Sequence, residues 1–230
     1  MADQIFKKNR ITKEERKRKV IKLRSETWLF VCEGTKTEPQ YIESLIDYAN
    51  KITAESPLKY KVEGVGRNTE TLVKWVQNFF DCTEELYAKK QGIPYAKTFV
   101  LFDKDSFGNH QFNNAIAMAE QRGYIPIWSN ECFELWYLLH FYLYSSNNGR
   151  EAYFKRLSEL LGVSYDKAGD VFGAIHTPNN LSKAMYNAKK LNDDSCCEKS
   201  ASKRVPCTQM FKVIEAINRE LKIDLTKANI

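Results

Sequence analysis

From Trp28 onward the chain alternates short runs rich in apolar or β-prone residues with longer stretches whose apolar residues recur every three or four positions. The short runs are Trp28–Cys32, Lys59–Val65, Thr98–Phe102 and Tyr124–Trp128. Runs of this length bounded by turn residues read as strands, and an uninterrupted apolar one reads as a buried strand of a parallel sheet. Between them, Pro39–Lys51 places Tyr41, Leu45, Ile46 and Tyr48 on one helical side, and Thr69–Lys90 places Leu72, Val73, Trp75, Val76, Phe79 and Phe80 at helical spacing. Phe112–Arg122 carries Ile116, Ala117 and Ala119 at helical spacing. Strands interleaved with helices at these spacings predict βαβ units with right-handed crossovers. Pro126 cannot donate to a ladder and so predicts a sheet edge at the fourth strand. After Trp128 the pattern predicts helices only: Cys132–Tyr144, Glu151–Leu161, Pro178–Leu191 and Cys207–Leu221, with Asn192–Pro206 as a polar loop. Thr177-Pro178 is a start signal, a capping residue followed by proline at the first helical position.

The expected fold class is therefore α/β, a parallel sheet of about four strands flanked by helices, with a C-terminal helical extension. The expected division is 1–25 as a basic arm, 26–145 as the α/β domain and 146–230 as helices packed on it. An apolar fraction of 43% is ample for a packed core and excludes a disordered chain. No apolar run reaches the roughly 20 residues of a bilayer span, and the basic start lacks the apolar region of a secretory signal. A cytoplasmic protein is expected. None of the six cysteines forms a C-x-x-C pair, so free thiols are expected rather than a zinc ribbon or disulfide framework.

Charge changes the picture in one place. Residues 1–24 hold ten Lys/Arg against Asp3, Glu14 and Glu15, a net of +7, so with +6 for the whole chain the remainder sums to −1. Its dense part includes Arg16, Lys17, Arg18 and Lys19. Such an arm is either a contact for phosphate backbones, with affinity that falls steeply with salt, or a solvated tail.

The candidate chemistry lies where apolar strands run into acid. Trp28–Cys32 ends at Glu33-Gly34, and Thr98–Phe102 ends at Asp103-Lys104-Asp105. Open α/β sheets place their ligands at the carboxyl ends of their strands. In extended chain, residues i and i+2 point the same way, so Asp103 and Asp105 are expected to face one cation together. Mg²⁺ takes one or two carboxylates and completes its octahedron with water and phosphate oxygens. Each acid alone could be a turn former or a helix cap. Asp103-x-Asp105-x-x-Gly108 is not an EF-hand loop, because a strand precedes it and Asn114 stands where a bidentate Glu is required.

Glu38 could complete a capping box with Thr35. That would put Pro39 at the fourth helical position, so Pro39 is expected at the first position instead, with Glu38 free to face Glu33. The segment Cys132–Phe141 is apolar all round, as buried helices are, and Glu134 inside it needs a partner or a metal. His140, about 240° around that helix from Glu134, reads as a core histidine rather than a ligand. Gly64-Val65-Gly66-Arg67 could hold a phosphate but reads as an ordinary tight turn. Lys36 is near enough in sequence to contact phosphate.

Three blocks carry a family resemblance: Val31-Cys32-Glu33-Gly34-x-x-Thr37-Glu38-x-x-Tyr41, Phe102-Asp103-x-Asp105-Ser106-Phe107-Gly108, and Ser129-Asn130-x-Cys132-Phe133-Glu134-Leu135-Trp136. Together they resemble the RloB-like family, whose fold is of the Toprim type. The resemblance implies a Mg²⁺-dependent (or Mn²⁺-dependent) nucleic-acid phosphodiesterase, similar to the nuclease half of overcoming-lysogenization-defect enzymes. It also implies a partner ATPase and a setting in phage defence. By position it gives metal-ligand roles to Glu33, Asp103 and Asp105, a second-metal role to Glu38, and a further ligand in Glu134. DNA and RNA remain open as substrates, and a homo-oligomer is compatible. Two rivals keep the fold: a non-catalytic nucleic-acid-binding or regulatory module of an ATPase complex, and a receiver-like domain. The receiver reading requires a lysine at a later strand end, where Ser129-Asn130 stands instead.

Overall fold

The structure, a computed structural model, describes residues 27–88, 95–167 and 169–227, with side chains described throughout except over 80–88. The expected basic arm, with Arg16, Lys17, Arg18 and Lys19, lies outside the described residues. Five strands form one sheet: β1 (Trp28–Cys32), β2 (Tyr60–Gly64), β3 (Lys97–Asp103), β4 (Ile125–Asn130) and β5 (Cys207–Thr208). Their order is β2-β1-β3-β4-β5, parallel in the first three pairings, with β5 antiparallel to β4. The α/β class with a mostly parallel sheet is therefore as expected, and the sheet has one strand more.

That extra strand corrects the sequence reading of Cys207 as the start of a helix. Cys207 and Thr208 pair with Asn130 and Ser129, and the helix begins only at Phe211. Two residues are too short a run for any periodicity to reveal. They also explain Pro126: β5 reaches only the last two residues of β4, so Pro126 keeps a free side opposite its β3 partner Val100.

Alternation along the strands sorts the core into two layers. Trp28, Phe30, Cys32, Phe99, Leu101 and Ile127 face α1 (Thr37–Ile52) and the C-terminal helices. Leu29, Val31, Val100, Phe102 and Trp128 face α2 (Thr69–Ala88) and α3 (Asn109–Gln121). Residues i and i+2 share a face, so β1, β3 and β4 bury both of their sides, whereas β2 at the sheet edge is half-exposed. β1 connects outward to β2 on one side, whereas β3 and β4 are laid down on the other. The chain therefore reverses direction at the β1/β3 junction, the switch point at which open sheets leave a crevice beyond their carboxyl ends.

The remaining helices are α4 (Glu134–Leu139), α5 (Arg150–Leu161), α6 (Val171–Ile175), α7 (Pro178–Asp194) and α8 (Phe211–Leu221). The segment expected as one helix over Cys132–Tyr144 holds only the six residues of α4. Its all-round apolar character comes from burial under neighbouring helices, not from helical length: Leu135 through Leu139 are all buried. α6 falls where no element was expected, and α7 runs on into the expected loop. Thr177 caps α7 as expected, its Oγ1 accepting the Asn180 N–H at 3.1 Å with Pro178 as the first helical residue. None of the described helices is long and apolar enough to cross a membrane. The five described cysteines are free thiols.

Candidate functional site

A cleft of about 250 Å³ opens at the switch point, lined by Glu33, Glu38, Asp103, Asp105 and Glu134 together with Lys36, Arg150 and Lys167. The five acids arrive from four places in the chain. Glu33 leaves β1, Glu38 lies in the first turn of α1, Asp103 ends β3 with Asp105 in the turn beyond it, and Glu134 opens α4. The sequence-predicted acids are thus all brought to one cleft.

Backbone geometry fixes each of them. The Glu33 N–H donates to Leu101 O at 2.9 Å, extending the β1/β3 ladder by one residue. The Glu33 side chain then accepts the Asp103 N–H at Oε2, 3.3 Å away, which ties the ends of the two strands across the crevice. α1 starts at Thr37, so Pro39 is the third helical residue, not the first as expected from sequence. That position tolerates proline because the first intrahelical bond is donated by Gln40 to Lys36 O, at 3.0 Å. No capping box forms. Glu38 turns back over Gly34 and accepts its N–H at Oε1, 3.3 Å away.

Asp105 corrects the extended-chain expectation. β3 ends at Asp103, and Asp105 has φ +41°, in the left-handed region that Asp enters more readily than most residues. The turn is held by Lys104 N–H to Ser129 O at 2.8 Å, by Asp105 N–H to Glu131 O at 3.0 Å, and by Lys104 Nζ to Phe107 O. The Asp105 carboxylate lines the same cleft as Asp103 and meets the Arg150 guanidinium at 2.7 Å.

Glu134 is almost wholly buried, at 1% exposure. Its Oε1 accepts the Tyr165 hydroxyl at 3.0 Å and pairs with Lys167 Nζ at 3.4 Å. Its Oε2 is buried without a hydrogen-bond partner. Lys36 is exposed at the rim. In the Gly64–Arg67 turn the central amides are engaged within the protein: Val65 N–H donates to Cys32 O and Gly66 N–H to Glu33 O. His140 sits in the core as expected, its Nδ1 donating to Trp136 O at 2.9 Å and its ring edge-on to Tyr41 and Trp136.

The electrostatics show how closely the acids crowd. Burial raises the Glu33 carboxyl to about 7, and the charges of Glu38 and Asp105 push in the same direction against the Asp103 amide and Arg150. Asp103 is raised well above the usual carboxylate range, by burial first and then by Glu38, Glu134 and Glu33. Glu38 is raised by burial and by Glu134. Like charges in a partly desolvated cleft disfavour each other's ionised forms, and an added cation would reverse that.

Whether the cleft suits a divalent ion can be judged on its donors. All are hard carboxylate oxygens, the type Mg²⁺ takes, and Glu134 Oε2 lacks a partner. As arranged, however, no group of three His, Cys, Asp or Glu side chains among the described residues is positioned to hold a metal ion. The acids are instead engaged within the protein: Glu33 by Asp103 N–H, Glu38 by Gly34 N–H, Asp105 by Arg150, and Glu134 by Tyr165 and Lys167. The donor set fits the ion in chemistry and location, and rotation away from these partners would be needed to close around it.

Two lining residues were not foreseen. Arg150 is the first residue of α5, and Lys167 lies in the loop after it. Their acidic partners are 45 and 33 residues distant, so no local spacing could mark them.

Fold and site together define an α/β protein with an acid-lined cleft at the switch point of a mostly parallel sheet. The chain belongs to the RloB-like family: the model for RloB-like protein matches residues 28–217, which include every lining residue of the cleft. No curated protein and no solved structure matches it.

Proposed function

We propose that this chain is a divalent-cation-dependent phosphodiesterase acting on nucleic acid. The observation that carries the reading is the meeting of Glu33, Glu38, Asp103, Asp105 and Glu134 in one cleft at the β1/β3 switch point. Glu33 and Asp103 would be the principal holders of Mg²⁺ or Mn²⁺, with Asp105, Glu38 and Glu134 completing or extending the site. Such an ion supplies charge neutralisation at the phosphate and a more acidic bound water.

The chain's own residues do the rest. Hydrolysis joins a water oxygen to phosphorus, breaks the bond to the leaving sugar oxygen and delivers a proton to it. Glu134 Oε2 is buried at the cleft's wall without a hydrogen-bond partner, and would accept a hydrogen bond from that water once the cleft opens to admit it. Lys36, Arg150 and Lys167 line the same cleft and supply positive charge for the phosphate oxygens. The basic arm with Arg16, Lys17, Arg18 and Lys19 would add salt-sensitive, sequence-independent affinity. The RloB-like resemblance extends the proposal to a partner ATPase, a cytoplasmic setting, a Toprim-type fold and a role in phage defence.

A second reading, a non-catalytic nucleic-acid-binding or regulatory module, is favoured by one observation: Arg150 and Lys167 already neutralise two of the acids. Incubation of purified protein with DNA and RNA in Mg²⁺ and in Mn²⁺ separates the two. The nuclease reading expects cation-dependent cleavage that falls at least about a hundredfold in Glu33→Ala and Asp103→Ala, with unchanged circular dichroism. Nucleic-acid binding that survives Asp103→Ala, with no cleavage at any cation concentration, would establish the second reading instead.

A further inference from the structure

Arg150 stands out among the cleft's residues because its guanidinium is only partly used. One nitrogen, Nη1, binds Asp105 Oδ2 at 2.7 Å, while Nε is buried without a hydrogen-bond partner. The guanidinium lies over the Phe154 ring at 5.8 Å, and Lys167 Nζ lies over the same ring at 5.1 Å. Phe154 is four residues after Arg150 on α5, so one helical turn places the ring against both cations. The two cations thus share an aromatic support, and each ends on a different acid of the cleft, Asp105 or Glu134.

We infer that Arg150 is a cation placeholder and phosphate clamp: it holds Asp105 while no divalent ion is bound, and contacts a substrate phosphate oxygen once the ion has taken that carboxylate. The inference rests on the phosphodiesterase reading and deepens it by giving Arg150 an exchange of partners, from Asp105 to phosphate, that depends on the ion. Three physical points support it. A planar guanidinium offers five N–H donors in a fork that fits carboxylate and phosphate equally well, so the same side chain can serve either partner. The Asp105–Arg150 pair is about one-third exposed on each side, so the contact is weak enough to be exchanged. Gly149 enters α5 at φ +78°, a conformation that delivers Arg150 to the cleft as the first residue of a helix and not from a long loop. Lys167, paired with Glu134 and resting on the same ring, is the second member of this cationic wall.

The placeholder role predicts opposite effects on ion binding and on turnover, which a merely structural residue would not produce. Mn²⁺ affinity is measured by titration calorimetry without nucleic acid, and cleavage kinetics are measured separately, for wild type, Arg150→Met, Arg150→Lys and Asp103→Ala. Arg150→Met is expected to bind Mn²⁺ roughly fivefold more tightly, because a competing cation has been removed from Asp105. Its kcat is expected to fall about a hundredfold with a smaller change in KM, the pattern of a lost transition-state contact. Arg150→Lys, which preserves charge and most of the packing, should retain near-wild-type ion affinity and recover part of the rate. Unchanged or weaker Mn²⁺ binding in both folded Arg150 variants, with Asp103→Ala still abolishing it, overturns the inference and leaves the phosphodiesterase reading standing. Ion binding that is absent from wild type, or indifferent to Asp103→Ala, overturns both.

Discussion

Burial leaves the His140 imidazole neutral well into the acid range. Its pKa is lowered to about 4, by desolvation first and then by the neighbouring His176, against the hydrogen bond to Trp136 O. Tyr41 and Trp136 pack edge-on against the ring and bring no charge to offset that. An unfolded histidine titrates near 6.5, so below that pH the unfolded chain takes up a proton that the folded chain refuses. Stability contributed here is complete above about pH 6.5 and is lost as pH falls toward 4, by about 3 kcal/mol at most. Glu33 and Asp103 act in the opposite sense, since their raised folded values make the folded state take up protons first as pH falls. The two trends separate by comparison: chemical denaturation from pH 7.5 to 4.5 should show a shallower acid loss in His140→Phe than in wild type. Parallel curves would mean that the imidazole is not held neutral.

The same scale shows what the sequence could say about the site. Glu33 and Asp103 are legible because each follows an unbroken apolar strand, and parallel strands of one sheet carry their carboxyl ends to the same edge. Glu38 was legible from the misfit between Pro39 and a capping box. Asp105 is legible by its spacing from Asp103, but its backbone turns at φ +41° and is not extended, a conformation that no two-residue spacing reveals. Arg150 and Lys167 were invisible, as their roles arise only when α5 and the following loop fold back onto α4 and the β3 turn.

Among elements, the β1–α1 turn governs the cleft, since it carries Glu33 and aims Glu38. The end of β2 packs directly under it. A Cβ on Gly64 would lie 2.8 Å from both Gly34 O and the Thr35 Cα, backbone atoms that cannot rotate aside. Gly64→Ala should therefore cost about 1–3 kcal/mol, seen as a lower urea midpoint at unchanged slope, because the turn or the strand must move. It should also weaken any property that depends on Glu38, although Gly64 does not line the cleft. A wild-type midpoint would show that the turn yields easily. Element boundaries followed the same logic as their legibility. β1 and β3 are clear from composition, whereas α4 is six residues long within a longer apolar segment, because burial by later helices makes a short helix look like a long one. β5 was missed because only pairing with Ser129 and Asn130 defines it.

At the scale of the molecule, two apolar layers clamp the sheet from both faces, and the cleft occupies the edge where neither layer closes. The layer over α1 is the larger, running without a break from Trp28 and Phe30 through Trp136 and Tyr153 to Ile214 and Leu221. The C-terminal helices are thus part of the packing that holds α4 and α5 in place, and through them Glu134 and Arg150. Strand order could not be read from the chain, yet it supplies the decisive fact: β1 and β3 are neighbours at the reversal, so acids 70 residues apart meet. The most direct test of the central claim is anomalous diffraction from crystals soaked in Mn²⁺. An ion is expected between the Glu33 and Asp103 carboxylates, with Asp105 turned away from Arg150 toward it. An empty cleft at saturating Mn²⁺, with Asp105 still on Arg150, would contradict the claim.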